Sequence, residues 1–285
     1  LVAASDPITF SSSQAGRLAV VVNANDVAVM GARPRWFLAV LLLPKGTNER
    51  AVTSLFADLR AALGRVGATL VGGHTEITEA VNQPVIVGHM LGTTTHDGLI
   101  RTGGTRPGDV VVQVGQAPVE GAAVLAAEAH DRLGAVSRDL LAGAARAFDD
   151  PGISVVDFAL AAAGLGATSL HDPTEGGLAG GLHEMAGASG VRLTVDRAAV
   201  CWFPPGLAIC EALSADPWAT LASGALLAAF PPDRAGAALD AFHARGWEAR
   251  VLATATAGQG VADSDGRPLP CPARDEVARV LERFG

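Results

Sequence analysis

Apolar residues follow two rhythms along this chain: short, almost unbroken runs, and longer stretches where they recur at helical spacing. Leu1 to Ala4 and Ile8 to Phe10 read as strand around Asp6-Pro7, with Ser11-Ser12-Ser13 as a loop or helix cap. Arg17 to Met30 is predicted as an Ala/Val-rich helix closed by Gly31, and Pro34 prevents its continuation. Leu18, Val21, Val22 and Val29 cover most of its faces, so it should be buried nearly all round. Trp36 to Leu43 reads as a fully buried strand and Glu49 to Leu63 as an amphipathic helix. Ala68 to Val71 reads as the end of a buried strand, and Pro84 to Gly92 as another strand.

The densest turn cluster, Thr102-Gly103-Gly104-Thr105-Arg106-Pro107-Gly108-Asp109, marks the expected domain boundary, with residues 1–103 before it and 104–285 after. The second half restarts with a strand at Val110 to Val114. Helices follow near Gly121 to Leu133, Arg138 to Phe148, Ile153 to Ala163 and from Pro173. Strands are expected at Val191 to Val195, Ser223 to Phe230 and, as the last, Ala249 to Ala255, with a helix at Arg234 to Ala244. Strand and helix alternate in both halves, so the expected fold class is α/β (α+β) in two domains. A length of 285 residues also exceeds the roughly 100 to 200 typical of one domain.

Composition narrows the function classes. Hydrophobic content of 49% with 18% charged residues describes a folded globular chain. A net charge of −8 argues against a nucleic-acid partner held by general phosphate attraction. Cys201, Cys210 and Cys271 are an odd set without a C-x-x-C pair, which fits a reducing, cytoplasmic setting and no recognisable zinc cluster. The longest strongly apolar run falls far short of the ~20 residues that cross a bilayer, so no membrane role is expected. No signal peptide is visible, and the sequence starts inside a predicted strand, so further residues are expected upstream.

Three polar knots interrupt the apolar pattern, and they are expected to converge: Asn23-Ala24-Asn25-Asp26, Gly72-Gly73-His74-Thr75-Glu76 and His171-Asp172-Pro173-Thr174-Glu175-Gly176-Gly177. Asp26 inside a buried helix needs a partner, either an arginine such as Arg33 or Arg35 or a magnesium ion. Gly72 and Gly73 allow close approach of backbone N–H groups to a ligand. If the strand continues beyond them, His74 and Glu76 share a face. A lone histidine is more often structural than a ligand. Asp172-Pro173-Thr174-Glu175 has the form of a helix start, which by itself explains Asp172 as an N-cap and Glu175 as its partner. The pairs Gly176-Gly177 and Gly180-Gly181, each glycine unfavourable in a helix by ~1 kcal/mol, fit either close packing or a ligand on exposed N–H groups. No P-loop, no G-x-G-x-x-G and no zinc deaminase signature occurs, since H-x-E at His74 is not followed by P-C-x-x-C.

The run from Asn23 through Asn25-Asp26-Val27-Ala28 to Gly31-Ala32-Arg33-Pro34 resembles the N-D-[IV]-A-x-x-G-A-x-P segment of the AIR synthase-related superfamily. The resemblance continues in order through Gly72 to Glu76, Gly104 to Asp109, Asp172 to Leu178 and Ser223-Gly224-Ala225-Leu226-Leu227, spanning almost the whole chain. Members include AIR synthase, selenophosphate synthetase, thiamine-monophosphate kinase and the hydrogenase maturation factor HypE, and G-G-H-T-E-x-T with D-P-T-E-G-G is most similar to the HypE-like members.

The resemblance implies an N-terminal domain whose sheet pairs with a second copy into a barrel-like homodimer, a C-terminal α/β domain, and ATP with Mg2+ in the cleft between them. It implies metal ligation by Asp6, Asp26 and Glu76 or His74. It also implies nucleotide contacts from Asn25, Gly72, Gly73, His74, Thr75, Gly176 and Gly177, and catalysis by Asp26, Asp172, Thr174 and Glu175. The implied activity is ATP-dependent activation of a small substrate by phosphoryl transfer, with a maturation protein as a further partner. A thiamine-monophosphate kinase and a non-catalytic nucleotide-binding scaffold are the alternatives. Two features depart from the pattern. HypE ends in a cysteine that carries the carbamoyl group, whereas this sequence ends Leu281-Glu282-Arg283-Phe284-Gly285, so the HypE reaction is not expected of it as known. The family's N-terminal glycine- and aspartate-rich segment is also not seen here.

Overall fold

The computed structural model describes residues 1–9 and 14–282. Phe10 and Ser11-Ser12-Ser13, expected as a strand end and a loop or cap, lie outside them. Two compact units make up the chain, Leu1–Leu99 and Ile100–Gly285. The segment Thr102–Gly104 belongs to the second because the Thr102 carbonyl accepts from both Ser169 Oγ and Ser189 Oγ.

In the N-terminal unit, β1 (Val2–Ile8), β2 (Arg33–Pro44), β3 (Thr69–Thr78) and β4 (Val85–Thr93) form a sheet in the order β1-β4-β2-β3, with β2 and β3 parallel and the other pairs antiparallel. The helices are α1 (Ala15–Ala28) and α2 (Glu49–Val66). Strand β1 runs straight through Asp6-Pro7, where two pieces had been expected; it lies at the sheet edge, where a residue without an N–H is tolerated. Helix α1 is buried nearly all round, as its composition predicts. Strand β2 is not fully buried. Phe37, Ala39, Leu41 and Leu43 are buried on one face, while Leu38, Val40 and Leu42 are half-buried and Trp36 is 40% exposed. The apolar run therefore has two distinct faces, and only one is covered by helices of its own unit.

Strand β3 meets the condition under which His74 and Glu76 share a face, and it corrects the expectation of burial. It passes through Gly72-Gly73 to Thr78, and it is exposed along nearly its whole length, because it is an edge strand with β2 as its one neighbour. Gly73 has φ +144°, and a Cβ there would stand 1.9 Å from the Ala39 carbonyl oxygen. The close backbone approach that glycine permits is used here by the neighbouring strand.

The C-terminal unit contains β5 (Val110–Val114), α3 (Val119–Glu128), α4 (Arg138–Ala145), α5 (Val156–Gly164), β6 (Ser169–His171), α6 (Gly177–Ser189) and β7 (Val191–Val195). These are followed by α7 (Pro204–Leu213), β8 (Leu226–Phe230), α8 (Pro232–His243), β9 (Ala249–Ala257), β10 (Gly260–Asp263) and α9 (Glu276–Glu282). The sheet order is β10-β7-β9-β5-β8-β6. Leu178, Leu182 and Met185 of α6 pack with Leu193, Leu227 and Leu252 in its core. Strand β9 is not the last, since β10 follows it. Strand β6, helix α7 and helix α9 have no counterpart in the sequence reading: β6 has only three residues, and α7 opens on Pro204-Pro205, which reads as a break until it is placed at the first turn.

Candidate functional site

In the N-terminal unit the site begins with Asn23. It is fully buried on α1, and its side chain ties the helix to β1. Asp6 N–H donates to Asn23 Oδ1 at 2.8 Å, and Asn23 Nδ2 donates to the Asp6 carbonyl at 3.3 Å and to the Ala19 carbonyl at 2.8 Å. Gly88 lies opposite Asp6 in the register, and a Cβ there would sit 2.5 Å from Asn23 Nδ2, so the Asp6 side of β1 faces α1. Asp26 follows Asn23 by three residues and stands on the same face of α1, one turn on. Asp6 and Asp26 are half-buried and Asn25 is buried.

Glu76 and His74 sit elsewhere. Strand β3 pairs His74 with Val40 and Glu76 with Leu42, so the two share one face, the one β2 leaves uncovered by its helices. Two strands, β4 and β2, separate β3 from β1, and at ~4.8 Å per strand this is roughly 14 Å. Within one chain, Glu76 is thus on the other face of the sheet from Asp6. Among the described residues no three His, Cys, Asp or Glu side chains are grouped to hold a metal. Gly72, Gly73, His74 and Thr75 line a shallow depression with Phe56 of α2.

In the C-terminal unit, residues 172–176 form a turn between β6 and α6 in place of the expected helix start. Asp172 is buried and is not the N-cap; that position belongs to Gly176, with φ 78°. Gly177 also has positive φ, 62°, and a Cβ on it would lie 2.5 Å from the Trp218 carbonyl oxygen. These backbone requirements, which no other residue type meets easily, explain the glycine pair that helix propensity disfavours. The Thr174 carbonyl accepts from Gly177 N–H at 3.0 Å and Ala222 N–H at 3.2 Å. The turn's backbone is held while Thr174 and Glu175 are exposed.

Two buried carboxyls beside this turn escaped the sequence reading. Glu120 of α3 is 7% exposed. Burial pushes its carboxyl above the usual range against a hydrogen bond with Ser223, and the nearby Asp275 and Glu175 push the same way. Asp275 is 8% exposed and is also raised, mainly by burial, against bonds from the Gly176 and Val277 N–H groups. A lone glutamate in the apolar run Val119 to Ala127 was the available signal for the first. An aspartate directly ahead of Glu276-Val277-Ala278, the pattern of a helix N-cap, was the signal for the second.

No helix among the described residues is long and apolar enough to cross a membrane. Carbamoyl dehydratase HypE from Rhodobacter capsulatus is 31% identical over 241 residues, covering 84% of this chain and 68% of that protein. The crystal structure of E. coli HypE, a hydrogenase maturation protein, matches with a TM-score of 0.82 at 22% identity, over 98% of this chain and 87% of that one. HypE in complex with ATP matches with 0.81 at 22% identity, over 98% and 86%. At these identities the structural matches speak for the fold. Residues 2–94 match the N-terminal domain, and residues 106–265 the C-terminal domain, of the AIR synthase related proteins, and the chain belongs to that family.

Proposed function

We propose that this protein binds ATP with Mg2+ and activates a small substrate by phosphoryl transfer to one of its oxygens, as a HypE-like member of the family. The observation that supports this most is the double hydrogen bond between Asp6 and Asn23, which sets Asp6 and Asp26 on adjoining elements. Mg2+ on a nucleotide is commonly held by one or two carboxylates plus phosphate oxygens and water, so this pair fits it. The ion would supply charge neutralisation at the phosphates. Asn25, Gly72, Gly73, His74 and Thr75 would line the nucleotide site.

Glu76 belongs to this site in a homodimer. The open face of the N-terminal sheet carries Leu38, Val40, Leu42, Val87 and Leu91 together with His74 and Glu76. A second copy packed there would bury this apolar surface. Within the C-terminal unit, Asp172, Thr174 and Glu175, with the Gly176 and Gly177 backbone, are the candidates for contact with the acceptor. Phosphoryl transfer asks the protein mainly for position and charge, and a turn with a held backbone and outward side chains is suited to that. The hydrogenase-maturation setting of the HypE relatives makes a maturation protein the expected second partner.

Calorimetric titration with Mg-ATP tests the nucleotide site, followed by turnover assays with small amides and carboxylic acids. Asp26→Ala should weaken Mg-ATP binding more than about tenfold, the loss of one charge-assisted contact. Equal binding by wild type and variant would refute the assignment. Binding without turnover of any acceptor would instead favour the scaffold function.

A further inference from the structure

Asp275 is bonded through both of its carboxylate oxygens to two elements far apart in sequence. Its Oδ1 accepts from Val277 N–H at 2.7 Å, capping α9, and its Oδ2 accepts from Gly176 N–H at 2.8 Å, across a separation of 99 residues. Both bonds are buried. Glu175 and Gly176 line a surface cleft together with residues 271–275, so the bond crosses between its walls. The Gly176 N–H is held from outside the turn and α6, whereas the Thr174 carbonyl secures Gly177 and the Gly176 carbonyl secures Gly180.

We infer that Asp275 is a positioning residue, which fixes the Gly176 peptide and through it the direction in which Thr174 and Glu175 leave the turn. The role in turnover rests on the function proposed above for residues 172–177; the mechanical role does not. Without this acceptor the peptide before a left-handed glycine has no fixed orientation, since glycine's backbone is permissive over a wide range. Three further acidic groups bear on the bond. Glu175 and Glu276 act on Asp275 directly, and Glu120 lies in its field. Burial and these acidic neighbours raise the Asp275 carboxyl, and the two N–H donors oppose the rise.

Two variants separate this role from helix capping. Asp275→Asn keeps one oxygen for Val277 and turns an amide donor toward Gly176, whereas Asp275→Ser retains a capping oxygen too short to span the cleft. Amide hydrogen exchange on the full chain should show the Gly176 to Gly180 amides exchanging roughly tenfold faster in both, with β5, β8 and β9 unchanged, as expected for local opening. Unchanged exchange at Gly176, or acceleration spread evenly through the C-terminal unit, would overturn the inference. In turnover, kcat should fall about tenfold or more while the KM for ATP stays within about twofold. A local exchange change with kcat intact would overturn the catalytic part. If wild-type protein turns over no acceptor, the proposed function fails and exchange still decides the role of Asp275.

Discussion

Asn23 and Asp6 are joined reciprocally: the side chain of Asn23 both accepts from and donates to the Asp6 backbone, at 2.8 and 3.3 Å. A fully buried side chain of helix α1 thus takes the place of a strand neighbour on the open edge of β1. Replacing Asn23 by Ala removes both bonds and leaves the Asp6 amide without this partner. A loss of about 1–3 kcal/mol is expected, the penalty for orphaning such groups. Urea unfolding should show it, and the Mg-ATP binding proposed above should weaken in parallel as β1 loses its clamp to α1. Unchanged stability would mean that water substitutes freely for the clamp.

Gly177 is restricted by its own backbone and by a neighbour. With φ +62° and the Trp218 carbonyl 2.5 Å from the place of a Cβ, Gly177→Ala is expected to destabilise the C-terminal unit by about 1–3 kcal/mol or more. Gly187→Ala, on the same helix with nothing within 4 Å of the added carbon, is the control and should be neutral or stabilising. The pair compares helix propensity with backbone strain directly, and comparable stability changes would contradict the geometry.

Glu120 predicts a pH dependence. Its carboxyl is raised in the folded state, chiefly by burial. The contribution of such a group to stability is complete below its unfolded pKa and is lost as pH rises through the folded value. Glu120→Gln stays neutral throughout and keeps a group able to bond Ser223. Urea midpoints at pH 4, 6 and 8 should therefore show the variant gaining on wild type as pH increases. A gap that is constant with pH would contradict the assignment.

The three thiols should separate sharply. Burial pushes Cys201 up to about 12 and Cys210 up to about 11, while Cys271 is exposed. Thiolate is the reacting form, so at pH 8 an alkylating reagent should modify Cys271 quickly and the other two only after unfolding. Intact-mass measurement should show a single adduct on native protein and three in denaturant. Fast labelling of two native thiols would show that the core opens readily.

Several elements were legible before the fold because their information is local. The apolar wrap of α1, the amphipathic α2 and the strand at Val191–Val195 each follow from neighbours a few residues away. The glycine pair at 176 and 177 is recognisable as unusual, yet its cause is not: Asp172-Pro173-Thr174-Glu175 satisfies every local criterion for a helix start, and the chain instead makes a turn in which both glycines have positive φ and Gly177 is packed against the backbone of Trp218 and Thr220. Strand β3 reads as buried in the sequence and is exposed in the fold for a related reason, since an apolar run does not reveal whether it has one neighbour or two.

The sequence by itself determined the family, the mixed α/β character and the polar segments to watch, because motif order and hydrophobic period are properties of the chain read in one dimension. Tertiary structure alone decided which carboxylates stand together: Asp6 beside the helix of Asp26, Glu76 on the opposite face, and Asp275 on Gly176 from 99 residues away. Burial and hydrogen bonding depend on what the folded chain brings near a group, and no local pattern specifies partners at that distance.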